Sequence, residues 1–287
     1  IAVAFVQPTL QALVANTVPR EDLGNALALS AMAVTSMRLT GAAISGVLIA
    51  TVDFHWNFFF ESVLYVGMIL LLALMKTPYR EELERRRASP LGDLREGLRF
   101  IWSSNEMFRL MAMNFVRSGV FMPLLLFLPA YTEEALGQGA GVSTAMVVTM
   151  GAGGLLATVM ISSFGFFSKK GMVSLVTLIS GSSVVLILGL SQWVWLSVPV
   201  MLLMGLSQTN FIVANQTLIQ NLVPDSLRGR VTSVWHYESG LIPLFAALTG
   251  GVGVLVGIDT AMAIVGVIAL AISLFFLTRF ANIRRLD

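Results

Sequence analysis

Apolar residues run along most of this chain in stretches of 17 to 28 positions, separated by short polar breaks. The stretches fall at 23–50, 56–74, 107–131, 141–167, 172–190, 199–222, 231–256 and 261–277, and residues 1–18 read as the tail of another. Each is long enough to cross a hydrocarbon core of about 30 Å as a helix, the form in which lipid leaves no backbone group unpaired. Strands of about ten alternating residues, the mark of a membrane barrel, are absent from the pattern. The pattern therefore predicts an all-α membrane protein. One segment breaks it. Residues 76–99, KTPYREELERRRASPLGDLREGLR, are too charged for lipid, and their end, DLREGLRFIW, puts Leu94, Leu98, Phe100 and Ile101 on one side of a helix. This predicts an amphipathic helix at headgroup level with Trp102 as its interfacial anchor.

Composition agrees with lipid as the main solvent: 56% of residues are hydrophobic and 12% charged, and the mean hydropathy is +0.82. A basic net charge of +2 would in a soluble domain raise the question of nucleic acid. Here the charge sorts by membrane side instead, and no nucleic-acid partner is expected. Numbering the loops alternately puts Arg20, the seven cations of 76–99, Arg109, Lys169, Lys170, Arg228, Arg230 and the three tail arginines on one side, sixteen of the eighteen Lys and Arg. The opposite loops hold Asp53, His55, Glu133, Glu134 and Asp259. By the positive-inside rule the 76–99 linker and the C-terminus are expected in the cytoplasm. No cysteine and only two histidines are present, which excludes thiolate chemistry and argues against a metal site. No cofactor, no catalytic cluster and no enzymatic activity are expected.

The segment 11–19, QALVANTVP, aligns on 216–224, QTLIQNLVP, at an offset of 205, and Asp53 and Asp259 mark equivalent turns within one residue of that offset. Duplicated halves related by an axis along the membrane normal are a known transporter architecture. The expected organisation is a partial N-terminal bundle over 1–75, a linker over 76–105 and a C-terminal six-helix bundle over 106–287. With Ile1 in place of an initiating Met, the repeat predicts a piece of a twelve-helix protein that lacks roughly 100 upstream residues.

Four stretches, VPREDLGNALAL, RLTGAAISG, SPLGDLREGLRFIW and LVPDSLRGRVTS, resemble the major facilitator superfamily, in particular the bacterial transmembrane-secretion-effector branch with its enterobactin and macrolide exporters. The resemblance runs from the end of family helix 4 to helix 12. It implies a major-facilitator-type bundle with about nine of its twelve transmembrane helices present in this chain, set in the bacterial cytoplasmic (inner) membrane as a monomer. It also implies gating and packing roles for Arg38, Gly41 and Gly46 on helix 5 and for Lys169 and Gly171 between helices 8 and 9. Departures are visible: Ala42 and Ser45 replace the Pro and Gly of the helix 5 motif, and Ser168 and Met172 replace the Asp and basic residue of the gating loop. Arg228 and Arg230 belong to the PDSLRGRV stretch and join the gating set.

Candidate chemistry lies inside the spans. Arg38 is about 20 Å from either end of its helix and Arg117 about 17 Å into its own. At that depth an arginine costs at least about 2.5–3.5 kcal/mol unless it faces a cavity or an anion. Both, with Asn114, Gln208 and Asn215, are candidate substrate-binding groups; Gln208 and Asn215 are seven residues apart and share a helix face. The alternative is that the arginines neutralise carboxylates and the amides bond neighbouring helices. Glu238 is the deepest carboxylate of the second half. Low dielectric disfavours a charged carboxylate, the property a proton carrier needs, although packing or gating is the competing role. Gly151, Gly153, Gly154 and Ala157 form a small-residue face for close helix packing.

The expected function is secondary active export of small amphipathic molecules, drug- or siderophore-like, by alternating access, with proton antiport as the energy source. Uptake, lipid-type transport by the same fold, and a non-transporting membrane subunit are the alternatives.

Overall fold

The computed structural model describes residues 54–74, 90–164, 169–224, 227, 230, 231, 234, 235, 238–280 and 282–286, with Ala33, Met37, Gly41 and Ile44. The described residues are helical with short connections and contain no strand. The chain divides into two compact units, Ile1–Arg87 and Ala88–Asp287.

In the first unit the described element is α1, Phe54–Leu74. It carries the apolar run expected at 56–74. Trp56 and Phe59 meet edge to face at 5.6 Å near its start, and most of its side chains are exposed, as suits lipid contact.

The second unit begins with α2, Pro90–Ser103, and continues with α3, Asn105–Glu134, α4, Ala140–Phe164, α5, Lys170–Leu190, and α6, Val194–Leu222. After a helical stretch that includes Arg230, Val231, Val234 and Trp235 come a 3-10 turn, Glu238–Leu241, α7, Ile242–Val256, α8, Ile258–Arg279, and a 3-10 turn at Ile283–Arg285. Among the described residues, five helices are long and apolar enough to cross a membrane, namely α3, α4, α5, α6 and α8, with two shorter apolar helices at Phe58–Leu74 and Ile242–Val256.

Two sequence expectations change here. The run at 231–256 was expected as one span, but Glu238–Leu241 forms a 3-10 turn and an α-helix begins at Ile242. Pro243 explains the restart: it lacks the N–H that would bond back to residue 239, its ring crowds that carbonyl, and it is suited to the first turn of a new helix. The second change concerns α2. Its apolar side was expected to lie in the headgroups, but Ile101 is buried in the core of the second unit with Leu98 and Phe100 packed against it. Gly97 lies so close to the Arg230 carbonyl that an added Cβ would stand 3.1 Å from it. Glu96 completes the docking with a 2.8 Å ion pair to Arg230.

The start of α3 follows from local chemistry. Ser104 sits in extended conformation and its hydroxyl accepts from the Met107 N–H at 3.3 Å, with Glu106 in the positive first turn of the helix. Two apolar clusters fill the bundle. One gathers Met107, Leu110, Leu175, Leu218, Val231 and Ile283; the other gathers Leu124, Leu128, Tyr131, Val184, Leu188 and Met201.

The most extensively packed helix pairs are α4 with α6, α5 with α8, and α5 with α6. As expected from the small-residue face, Gly153 and Gly154 lie against α6, and α6 answers with Gly205, whose absent Cβ leaves room for the Met150 carbonyl. Backbones can approach this far only where a side chain is missing. The α3–α7 contact works differently, with the Phe245 ring seated on Gly119 and the Phe127 ring on Gly250.

Candidate functional site

On α3, the polar residues Asn114, Arg117 and Ser118 interrupt an otherwise apolar helix between the parts that feed the two clusters. All three are buried, Arg117 being 9% exposed. The guanidinium does not stand alone. Its Nε donates to Asn114 Oδ1 at 3.1 Å, one turn earlier on the same helix, and its carbon lies 6.0 Å from the centre of the Phe211 ring on α6. Both contacts are favourable for a desolvated cation, one as a charge-assisted hydrogen bond and the other through the ring face.

These groups line a narrow crevice between α3, α5 and α6. Arg117 and Phe121 come from α3, Thr177 and Ser182 from α5, and Met204, Ser207, Gln208 and Phe211 from α6. Its cavity volume is about 20 Å³, room for a water or two. The hydroxyls along it are engaged. Thr177 donates to the Val173 carbonyl at 2.7 Å, Ser182 to that of Leu178 at 2.9 Å, and Ser207 to Ser180 Oγ at 2.8 Å. Arg117 and Gln208 are thus the long polar side chains on walls that are otherwise apolar or occupied by hydroxyls bonded elsewhere.

The structure brings Asn114, Arg117 and Gln208 to one region, and Asn215 makes its hydrogen bond one turn away on α3. Asn215 is completely buried, and its Nδ2 donates to the Leu110 carbonyl on α3 at 3.2 Å, while its Oδ1 has no hydrogen-bond partner. In this conformation its amide bridges helices. Sequence reasoning passed over Phe211, although its position three residues after Gln208 and four before Asn215 places it on the same face. Thr177 and Ser182 carried no such signal, because only the packing of α5 on α6 turns them to the crevice.

Of the predicted gating residues, Lys169, Gly171 and Arg230 lie at one end of the second unit. Lys169 precedes α5 with φ 108, the left-handed region, where a side chain is strained. Gly171 follows. Its N–H donates to the Leu286 carbonyl at 3.1 Å, and the Ile283 carbonyl occupies the place a Cβ would need. Arg109 stacks on the Phe280 ring at 4.2 Å, and Arg230 holds Glu96. At the opposite end, the Tyr131 hydroxyl donates to the Ser191 carbonyl at 3.0 Å and lies 2.9 Å from Ser197 Oγ, while Ser197 Oγ meets Ser191 Oγ at 3.0 Å.

Arg38, Gly46 and Arg228 lie outside the described residues. Gly41 is helical with open space around its Cα. Glu238 opens the 3-10 turn before α7, and its side chain lies outside the described residues. No group of three or more potential metal ligands occurs among the described residues.

Long apolar helices packed through glycine seams, with a buried cation and amides at mid-span, define a polytopic membrane protein built as a helical bundle. A profile of the Major Facilitator Superfamily matches residues 1–237, and the chain belongs to that family. It is a multi-pass membrane transporter with a small-molecule substrate and a lipid environment, in a family whose transporters work without a resident cofactor. Among curated proteins no match is found.

Proposed function

We propose that the protein is a secondary active transporter that exports small amphipathic molecules by alternating access, driven by inward proton flow. The observation that carries this reading is the placement of Arg117, held by Asn114 and facing Phe211, beside Gln208 in a crevice of α3, α5 and α6. Apolar walls suit a greasy solute, and two long polar side chains suit its polar end. A crevice this narrow admits a solute only when neighbouring helices move apart, as alternating access requires. Arg117, Asn114 and Gln208 are assigned to substrate, together with Arg38; Asn215 positions α6 against α3 through Leu110.

Glu238 is assigned to proton coupling. It stands at the break between two helical stretches, where a shift in helix direction can alternate its surroundings. The turn of Lys169 and Gly171, together with Arg230, Arg228, Gly41 and Gly46, is assigned to gating. The gating end, with the linker and the C-terminus, faces the cytoplasm of a bacterial inner membrane, as the sorting of cations supports.

The test is uptake of a panel of amphipathic cations, anions and neutral compounds into sealed inside-out vesicles, with and without a pH gradient. Gradient-dependent accumulation that fails in Arg117→Gln and Gln208→Leu is the expected result. Accumulation unchanged by collapsing the gradient would remove proton coupling, and Glu238→Gln with normal coupling would remove Glu238. Movement only out of the vesicles would reverse the direction, and no movement across the panel would point to a non-transporting subunit.

A further inference from the structure

We propose that the outer face of α2 is a binding surface for the headgroups of anionic phospholipids. An amphipathic helix ordinarily lays its apolar side on the bilayer, but α2 has given that side to its own bundle, where Ile101 is buried and Leu98 and Phe100 pack on the core. Its other side carries a different pattern. Arg95, Arg99 and Trp102 are all exposed, Trp102 by 69%, and their spacing of four and three residues places them in one stripe.

The position of this stripe is fixed by the covalent chain. Ser104 caps α3, which is long and apolar enough to cross a membrane, so Trp102 stands two residues from the start of a span. With 14 residues, α2 is about 21 Å long, and Arg95 lies about 10 Å along the helix from Trp102. Tryptophan at that depth belongs to the interfacial belt, and arginines beside it meet phosphate. Glu96, the neighbouring carboxylate, is held by Arg230 at 2.8 Å, whereas neither Arg95 nor Arg99 makes an ion pair among the described residues. Arg109, Lys169, Lys170 and Arg279 lie at the same end of the bundle.

This surface also has a structural consequence. Because α2 is tied to Arg230 through both Glu96 and the close approach of Gly97, lipid held by its outer stripe is linked to the stretch that leads into the 3-10 break at Glu238–Leu241.

The chain has no cysteine, so Ser103→Cys places a single environment-sensitive fluorophore beside the stripe of the otherwise intact protein in vesicles. Quenching by spin-labelled phosphatidylglycerol is compared with quenching by spin-labelled phosphatidylcholine at equal mole fraction. Phosphatidylglycerol should quench several-fold more strongly, and high salt should reduce the difference. Neutralising one arginine should weaken the preference, and Arg95→Gln with Arg99→Gln should bring the two lipids close to parity, because each cation adds to the attraction to an anionic surface. Arg95→Lys with Arg99→Lys should retain it. Equal quenching by the two lipids, an unchanged preference in the Gln pair, or a dye shielded alike in both vesicles because another protein copy covers it, would each overturn the proposal.

Discussion

Replacing Gly171 by alanine tests how the tail is seated on the start of α5. The new Cβ would run into the Ile283 carbonyl and stand 2.8 Å from its carbonyl carbon, well inside van der Waals contact. Neither atom can rotate away, because both are backbone and Ile283 is fully buried in the apolar cluster. The tail must shift, stretching the 3.1 Å bond from the Gly171 N–H to the Leu286 carbonyl. Overpacking of this kind costs about 1–3 kcal/mol, and the weakened hydrogen bond adds about 0.5–1.5 kcal/mol. Ala is the better helix former, by up to about 1 kcal/mol in a helix interior, which offsets part of this. The net expectation is a loss of about 1–3 kcal/mol, read as a lower melting temperature of the detergent-solubilised protein. A second background isolates the cause. In a chain ending at Asn282 the obstruction is gone, so Gly171→Ala should change stability by less than about 0.5 kcal/mol, although the shortened parent is itself less stable for want of Ile283. Ile283→Ala should not relieve the clash, since the obstructing atoms are backbone. A Gly171→Ala loss of equal size in the full and shortened chains would refute the reasoning.

Further substitutions probe the other contacts. Gly205→Ala should destabilise by roughly 1–3 kcal/mol, because its Cβ would meet the Met150 carbonyl and the Gly154 amide, whereas Gly251→Ala, with open space around it, should be neutral or slightly stabilising in the same melting assay. Tyr131→Phe removes the hydroxyl shared by the Ser191 carbonyl and Ser197 and should cost about 1–3 kcal/mol, the range for leaving buried polar groups unsatisfied. Asn215→Leu removes one hydrogen bond together with an unsatisfied buried oxygen, so unfolding should shift by less than about 1 kcal/mol, and transport should survive it but not Arg117→Gln. Glu96→Gln breaks an ion pair whose members are 29% and 54% exposed and should cost no more than about 1 kcal/mol, less in high salt.

Much of the fold was legible because the bilayer imposes a length and a polarity on every span. The runs at 107–131, 172–190 and 199–222 locate α3, α5 and α6 within a few residues, and Ser104 with Glu106 supplies the cap signal. What one strand of sequence does not carry is the identity of the facing helix. Gly153 and Gly154 announce a close contact, but nothing local to them names Gly205 as the partner, and Gly189 and Gly266 in the α5–α8 seam drew no notice for the same reason. The apolar side of α2 is another case: a helical stripe reads alike whether lipid or protein covers it. The break before α7 was written in Gly240 and Pro243 and was overridden by the length of the apolar run. At the candidate site, the residue types were legible and their division was not, since Gln208 and Asn215 share a face, yet Gln208 lines the crevice while Asn215 bonds to the Leu110 carbonyl.

The hydroxyl knot of Tyr131, Ser191 and Ser197 has a mechanical consequence. It fastens the end of α3 to the connection between α5 and α6 through contacts of 2.9–3.0 Å that would all have to break for those ends to slide. Like a pinned joint in a linkage, it allows α3, α5 and α6 to splay about this end while the tips near Arg109 and Gly171 move apart. Spin labels placed in pairs across the knot should therefore keep their separation through a transport cycle, and pairs across the far tips should not.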